Sequence, residues 1–353
     1  MLIYYILIKF MKSLYLIVLF IVITNCKSKK SFNEDAIVFS TFASNEKLEL
    51  SVFKEIPDIA VDGLLNYKDS LLIIRNAANT SDYHFTAFDL SKKTSVFDIL
   101  ESGRRDNEAV AFLSYGIYGN KLWVFDIVKN KFITSQITEY ESGDDLPTNS
   151  ISTFYYGIQP LNNTTFLGTG DYDSDYRGAI VDTRTNTVTR QIDSYSKDMS
   201  RGYKTAYESF LYLNPNRDKA VLAARFTDRV QIINLKKERS TVLKGPDGFE
   251  PDMGFMTTNE GKEISYSNDQ SKYAFVKGKT TTNYIYLLYS GNLQNGPNRH
   301  YGKTIHIYSW DGKPIKKLML PDYILDFAIS NDDSAIYTYN PNKKTLEFST
   351  LSI

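Results

Sequence analysis

The sequence predicts an all-β fold, and three observations carry that prediction. Tyr and Phe number 26 and 21 against two Trp, and such rings suit half-buried strand faces. Short runs rich in β-branched or aromatic residues recur between turn residues, at 48–53, 71–75, 85–88, 122–125, 230–233 and 305–308. No stretch after residue 46 carries a long, capped helical period. With 42% hydrophobic residues, 10 Pro, 19 Gly and one Cys among 353, the chain has a core to bury. Collagen-like, disordered and disulfide-stapled classes are excluded.

Residues 14–24 run uncharged behind Lys9 and Lys12, a basic segment followed by an apolar one too short to span a bilayer as a helix. Residues 1–25 therefore read as a secretory signal, with the start at Met1 or at Met11. The run ends in Ile23-Thr24-Asn25-Cys26, which resembles the lipobox of bacterial lipoproteins, with Asn25 where Gly, Ala or Ser is usual. That resemblance implies a diacylglycerol on the Cys26 thiol, acyl chains such as palmitate, and removal of the signal peptide just before it. Buried acyl chains, at about 0.8 kcal/mol per CH₂, then anchor the domain to a membrane. Residues 26–45 begin with Lys27-Ser28-Lys29-Lys30-Ser31 and read as a flexible tether. Loss of residues 1–25 leaves 39 basic against 41 acidic side chains, so no global field recruits nucleic acid.

The remaining residues, 46–353, read as one domain built on a repeat. A short strand ends in a polar turn and feeds a second strand at Phe88-Asp89, Phe125-Asp126, Val181-Asp182, Ile233-Asn234, Tyr308-Ser309 and Tyr339-Asn340. Successive copies lie 37, 56, 52, 75 and 31 residues apart, a mean of about 50, which is the length of a four-stranded propeller blade. The pattern predicts a six-bladed β-propeller of four-stranded antiparallel blades, with the repeat in each outer hairpin. The long gap before Tyr308 predicts an insertion, and residues 246–261 read as a long loop. Ring closure requires the chain ends to meet, so residues 48–53 and 345–351 are expected in the same or adjacent blades.

A second repeat is a set of Asx-rich turns that lead into apolar strands: Asn214-Pro215-Asn216-Arg217-Asp218, Ser267-Asn268-Asp269-Gln270-Ser271 and Ser330-Asn331-Asp332-Asp333-Ser334. It resembles the Ser-Pro-Asp-Gly turn of TolB-like propellers. Gly103-Arg104-Arg105-Asp106-Asn107-Glu108, followed by Leu122-Trp123-Val124-Phe125-Asp126, is similar to a turn and strand of the six-bladed TolB-like propeller lipoproteins of the Bacteroides lineage. The matching positions are Gly103, Arg104 and Glu108. What the resemblance implies is a lipid-anchored six-bladed propeller of the outer membrane.

Candidate chemistry is sparse. Asp171, Asp173 and Asp175 alternate in a loop where Ca²⁺ ligands could converge. Tyr176 and Asp182 stand where an EF-hand needs Gly and Glu, so a solvated turn is the preferred reading. His84, His300 and His306 form no metal-binding spacing, and Cys26 is the only Cys, so neither a metal nor a cofactor is expected. No nucleophile elbow, P-loop or dinucleotide fingerprint occurs. Glu108 reads as a carboxylate that supports its own turn. Phe154-Tyr155-Tyr156 and Tyr284-Ile285-Tyr286 read as sheet packing ahead of a sugar-stacking platform. The expected function is a non-catalytic binding or scaffold propeller that engages an envelope protein or glycan. The alternative is a glycan hydrolase or lyase working from the channel with two carboxylates. The basic residues after Cys26 leave the periplasmic and the cell-surface side both open.

Overall fold

The computed structural model describes residues 36–138, 146–147, 149–197 and 199–353. The signal segment, Cys26 and the first part of the tether lie outside the described residues. Three short strands open the described chain: β1 (Ile37–Val38), β2 (Ser44–Lys47) and β3 (Ser51–Glu55). Blade I follows as β4 (Val61–Tyr67), β5 (Leu71–Asn76), β6 (Tyr83–Asp89) and β7 (Thr94–Glu101). Blade II is β8 (Phe112–Tyr118), β9 (Lys121–Asp126) and β10 (Lys131–Gln136), and blade III is β11 (Gly157–Pro160), β12 (Thr165–Thr169), β13 (Tyr176–Asp182) and β14 (Thr187–Ser194). A short helix, α1 (Arg201–Ala206), leads into blade IV: β15 (Ser209–Leu213), β16 (Lys219–Ala224), β17 (Arg229–Asn234) and β18 (Arg239–Lys244). The inserted hairpin β19 (Met253–Thr257) and β20 (Glu263–Ser267) precedes blade V, which is β21 (Phe275–Thr280), β22 (Tyr284–Tyr289), β23 (Gly302–Ser309) and β24 (Pro314–Ile324). Blade VI comprises β25 (Asp326–Ile329), β26 (Ala335–Asn340) and β27 (Thr345–Thr350), with β3 as its outermost strand.

The six first strands β4, β8, β11, β15, β21 and β25 touch one another in that order and back to β4, so the ring closes around a central channel. The expected six-bladed ring of antiparallel blades is the fold observed. Blade II departs from four strands, with three among the described residues.

The uneven repeat has a structural reason. In blades I, III, IV and V the repeated unit is the third strand and its turn, as expected for an outer hairpin. In blades II and VI it is the second strand, β9 or β26. Moving one strand inward shortens the spacings that lead into blades II and VI. The hairpin β19–β20 accounts for the longest one, where the sequence suggested only a loop.

Each blade faces its neighbour through alternate apolar residues, and the buried side chains divide into six clusters, one per blade interface. Trp123, Phe125, Phe132, Tyr155 and Phe166 fill the interface of blades II and III. Phe275, Tyr289, Tyr308 and Trp310 fill that of IV and V. The Tyr and Phe excess is thus largely interleaved blade faces.

Closure follows the expected pairing. β3 lies antiparallel to β27, with Val52 opposite Glu347 and Ser51 opposite Phe348. The boundary expected at residue 46 differs, because residues 37–45 are laid onto the propeller. β1 pairs parallel with β18 at the rim of blade IV, and β2 pairs parallel with β24 at the rim of blade V. Between them Phe42 is buried against the rings of His306 and Tyr308. Gly245 makes room for this segment: its φ is +142°, and a Cβ there would stand 2.1 Å from Phe39 O. Apolar Phe39 and Phe42 and the open edges of β18 and β24 explain the docking, since an unpaired edge binds any strand that reaches it.

Candidate functional site

The first strand of every blade exposes one row of backbone N–H and C=O groups to the channel, and these need partners. Side chains from the neighbouring blades supply several of them. Ser114 Oγ accepts from Ile158 N at 3.1 Å, and Gln159 Nε2 donates to Leu211 O at 3.1 Å. Thr280 Oγ1 donates to Leu213 O at 2.6 Å. From blade V, past blade VI, Lys277 Nζ donates to Asp62 O at 2.9 Å and Lys279 Nζ to Leu64 O at 2.6 Å on β4. Asp326, with no exposed surface, accepts from Leu64 N at 2.8 Å and pairs with Lys279 Nζ at 3.0 Å.

Gly63 is required by packing. A Cβ at this position would lie 2.2 Å from Tyr115 Oη, so only glycine lets the tyrosine lie against β4. Arg75, from β5, pairs with Asp62 at 3.2 Å and lies over the rings of Phe112 and Tyr115 at 4.7 and 4.9 Å.

These strands enclose a cavity of about 720 Å³ that reaches the face carrying the turns between first and second strands. Arg217, in the turn from β15 to β16, crosses that mouth. Its guanidinium donates to Pro160 O of blade III and lies 3.7 Å from the ring centre of Tyr118 in blade II. Burial pulls its pKa down to about 10, which leaves it cationic at neutral pH. At Lys277 burial opposes the charge, but Tyr115, Asp326 and Asp62 outweigh it and hold the ammonium above the ordinary lysine range. Among the described residues neither Lys277 nor Arg217 has a carboxylate partner. Both carboxylates at the channel, Asp62 and Asp326, are already engaged by Arg75 and Lys279.

The residues singled out from sequence lie elsewhere. Glu108 is buried in the connection from blade I to blade II, accepts from Arg105 N at 2.8 Å, and fills the space above Gly103. It braces its own turn, as read. Asp173 pairs with Arg201 at 2.8 Å and Lys262 at 3.4 Å, and Asp175 with Lys204 at 3.4 Å. The hydrogen bond from Arg201 holds the Asp173 carboxyl below its usual range. The acidic loop thus ties α1 and the β19–β20 hairpin to blade III.

The three histidines are dispersed. His84 donates to Ala109 O at 2.8 Å, His300 accepts from Arg299 Nε at 3.0 Å, and His306 is sealed in the interface of blades IV and V. Tyr155 and Tyr286 are buried in packing, Tyr286 donating to Asp333 at 2.7 Å, while Tyr156 reaches the channel and accepts from Arg225 at 3.2 Å. Phe154 is exposed.

The channel cations and their carboxylates escaped the sequence reading. Lys277-Gly278-Lys279 does carry a signal, since two cations at period two on a strand share one face. Arg217 sits inside a turn that was recognised only as a turn.

Residues 61–332 match the family described as TolB-like 6-blade propeller-like. Among solved structures, a member of the duf4221 family from Bacteroides vulgatus is 11% identical with a TM-score of 0.53, covering 87% of this chain and 98% of its own. The β-propeller domain of Cps50 (Swd1) from Myceliophteria thermophila is 11% identical with a TM-score of 0.46, covering 86% and 100%. No curated protein matches the chain.

Proposed function

Because the chain belongs to the TolB-like six-bladed propeller family, we propose that it is a non-catalytic binding or scaffold module of the bacterial cell envelope. A lipidated Cys26 holds it to the outer membrane, and its channel mouth engages an envelope protein or glycan. The observation that carries the reading is the state of the channel carboxylates. Asp62 is paired with Arg75, and Asp326 is paired with Lys279 and bonded to Leu64 N. Glycoside cleavage needs a protonated acid opposite a free carboxylate. These two are held as ion-paired acceptors, which favours holding a ligand over cleaving it.

Two measurements test this. Full-length protein captured from detergent-solubilised envelopes is expected to retain a specific partner or glycan, and a blank capture together with a blank glycan array refutes the binding role. Growth with a clickable palmitate analogue is expected to label the wild type and not Cys26→Ala. Equal labelling of the two refutes the anchor. Protease shaving of intact cells then separates the periplasmic from the surface orientation.

A further inference from the structure

The cavity is asymmetric in charge. Its lining includes the basic residues Lys68, Arg75, Arg217, Lys277 and Lys279 against one acid, Asp62, in a chain whose charges otherwise balance. Asp62 and the underlying Asp326 offset Arg75 and Lys279. Of the other three, Lys277 lies within the channel and Arg217 at its mouth, each donating to a single backbone carbonyl. An ammonium has three donors and a guanidinium five, so both keep donors to offer.

The size and remaining chemistry of the walls narrow the ligand. A cavity of about 720 Å³ lies within the ~300–1,000 Å³ span of small-molecule sites. Tyr115, Tyr118, Tyr156 and Tyr212 line the cavity, with Arg75 and Arg217 over one face of Tyr115 and Tyr118 and Arg225 on the Tyr156 hydroxyl, and Thr281 and Thr282 stand at the rim. Flat rings and hydroxyl donors suit a polyhydroxylated ring, and unpaired cations in a partly desolvated space suit an oxyanion.

We infer that the channel binds an acidic saccharide, a sugar bearing a carboxylate or a phosphate, with its charge directed to Lys277 and Arg217 and its ring against the tyrosines. This rests on the binding reading above and names the ligand class for the same site.

Calorimetric titration of the full-length protein in detergent with glucuronate, glucose 6-phosphate, glucose and inorganic phosphate tests it. One or both acidic sugars should bind at least about tenfold more tightly than glucose, and added salt should weaken them, because the interaction is charge-assisted. Comparing glucuronate with glucose 6-phosphate tells which oxyanion is preferred. Lys277→Met and Arg217→Gln should each narrow the preference for the acidic sugar over glucose about tenfold. Lys277 also closes the ring, so Arg217→Gln and the wild-type salt dependence carry the test if Lys277→Met melts early. Equal binding of glucose and both acidic sugars overturns the charge assignment and leaves the binding role intact. Inorganic phosphate binding as tightly as glucose 6-phosphate overturns the saccharide. Absence of binding to either acidic sugar overturns the inference, and the envelope capture then decides separately whether the binding role survives.

Discussion

His306 is fully buried, its ring stacked on Tyr289 at 4.6 Å and tilted against Phe42 at 4.8 Å. Desolvation first, and Lys317 second, push its pKa down to about 3, against about 6.5 in the unfolded chain. Between those values the unfolded chain holds a proton that the native chain does not. The contribution to stability is therefore complete above about pH 6.5 and falls as pH drops toward 3, by at most about 1.4 kcal/mol per pH unit. Urea melts at pH 7 and pH 5 should show a smaller loss for His306→Leu than for the wild type, and identical acid limbs would rule the histidine out. Gly63 gives a second residue-scale expectation. Gly63→Ala should cost about 1–3 kcal/mol through the clash with Tyr115 Oη. In a Tyr115→Phe background the nearest ring atom is Cζ, at 3.4 Å, so the same change should cost less. Additive costs in that double-mutant cycle would refute the contact.

At the scale of elements, the repeat is a turn with a fixed backbone shape. Asp89, Asp126, Asp182, Asn234 and Asn340 each end a strand, and each accepts with Oδ1 from the N–H two residues on. Four residues on, Lys93, Asn130, Asn186, Glu238 and Lys344 sit at φ of 52–54°, the left-handed region. Asp126 does more than the others, because its Oδ2 also accepts from Val110 N at 2.6 Å and so fixes the entry to blade II. Asp126→Ala should cost about 1–3 kcal/mol, since it leaves the N–H groups of Val110, Val128 and Lys129 without that buried acceptor, and Asp89→Ala should cost less because its carboxylate is only half-buried. Denaturant midpoints of the two variants check the order. These turns were legible because Asx chemistry is local: the side chain bonds its own backbone, and five of the six aligned copies carry it. The channel was not legible for the complementary reason. Lys277 meets Asp62, 215 residues away, only after the ring has closed, and Arg217 meets Pro160, 57 residues away, only after blades III and IV have packed. The β19–β20 hairpin was missed because it lies within a run of turn residues, and its apolar Met256 and Tyr266 are half exposed.

The whole molecule is held at two radii. At the rim β3 pairs with β27, and at the channel Lys277, Lys279 and Asp326 bind the inner edge of β4. Residues 37–47 add a third device, of which 37–45 read in sequence as tether because the apolar run 36–39 is only four residues long and lies between polar stretches. Its anchor is Phe42, enclosed by Phe39, His306 and Tyr308. Removing a buried phenylalanine side chain costs about 3–5 kcal/mol when the site cannot collapse, and here rigid blades IV and V form its walls. Phe42→Ala is therefore expected to lower the unfolding midpoint by an amount typical of a central core residue. It should also speed amide exchange along β18 and β24, whose outer edges this segment covers, more than along β14 at the rim of blade III. If residues 37–47 were a dispensable tether, the variant would melt with the wild type and the three strands would exchange as before. Selective exposure of β18 and β24 would place residues 37–47 among the parts that stabilise the ring.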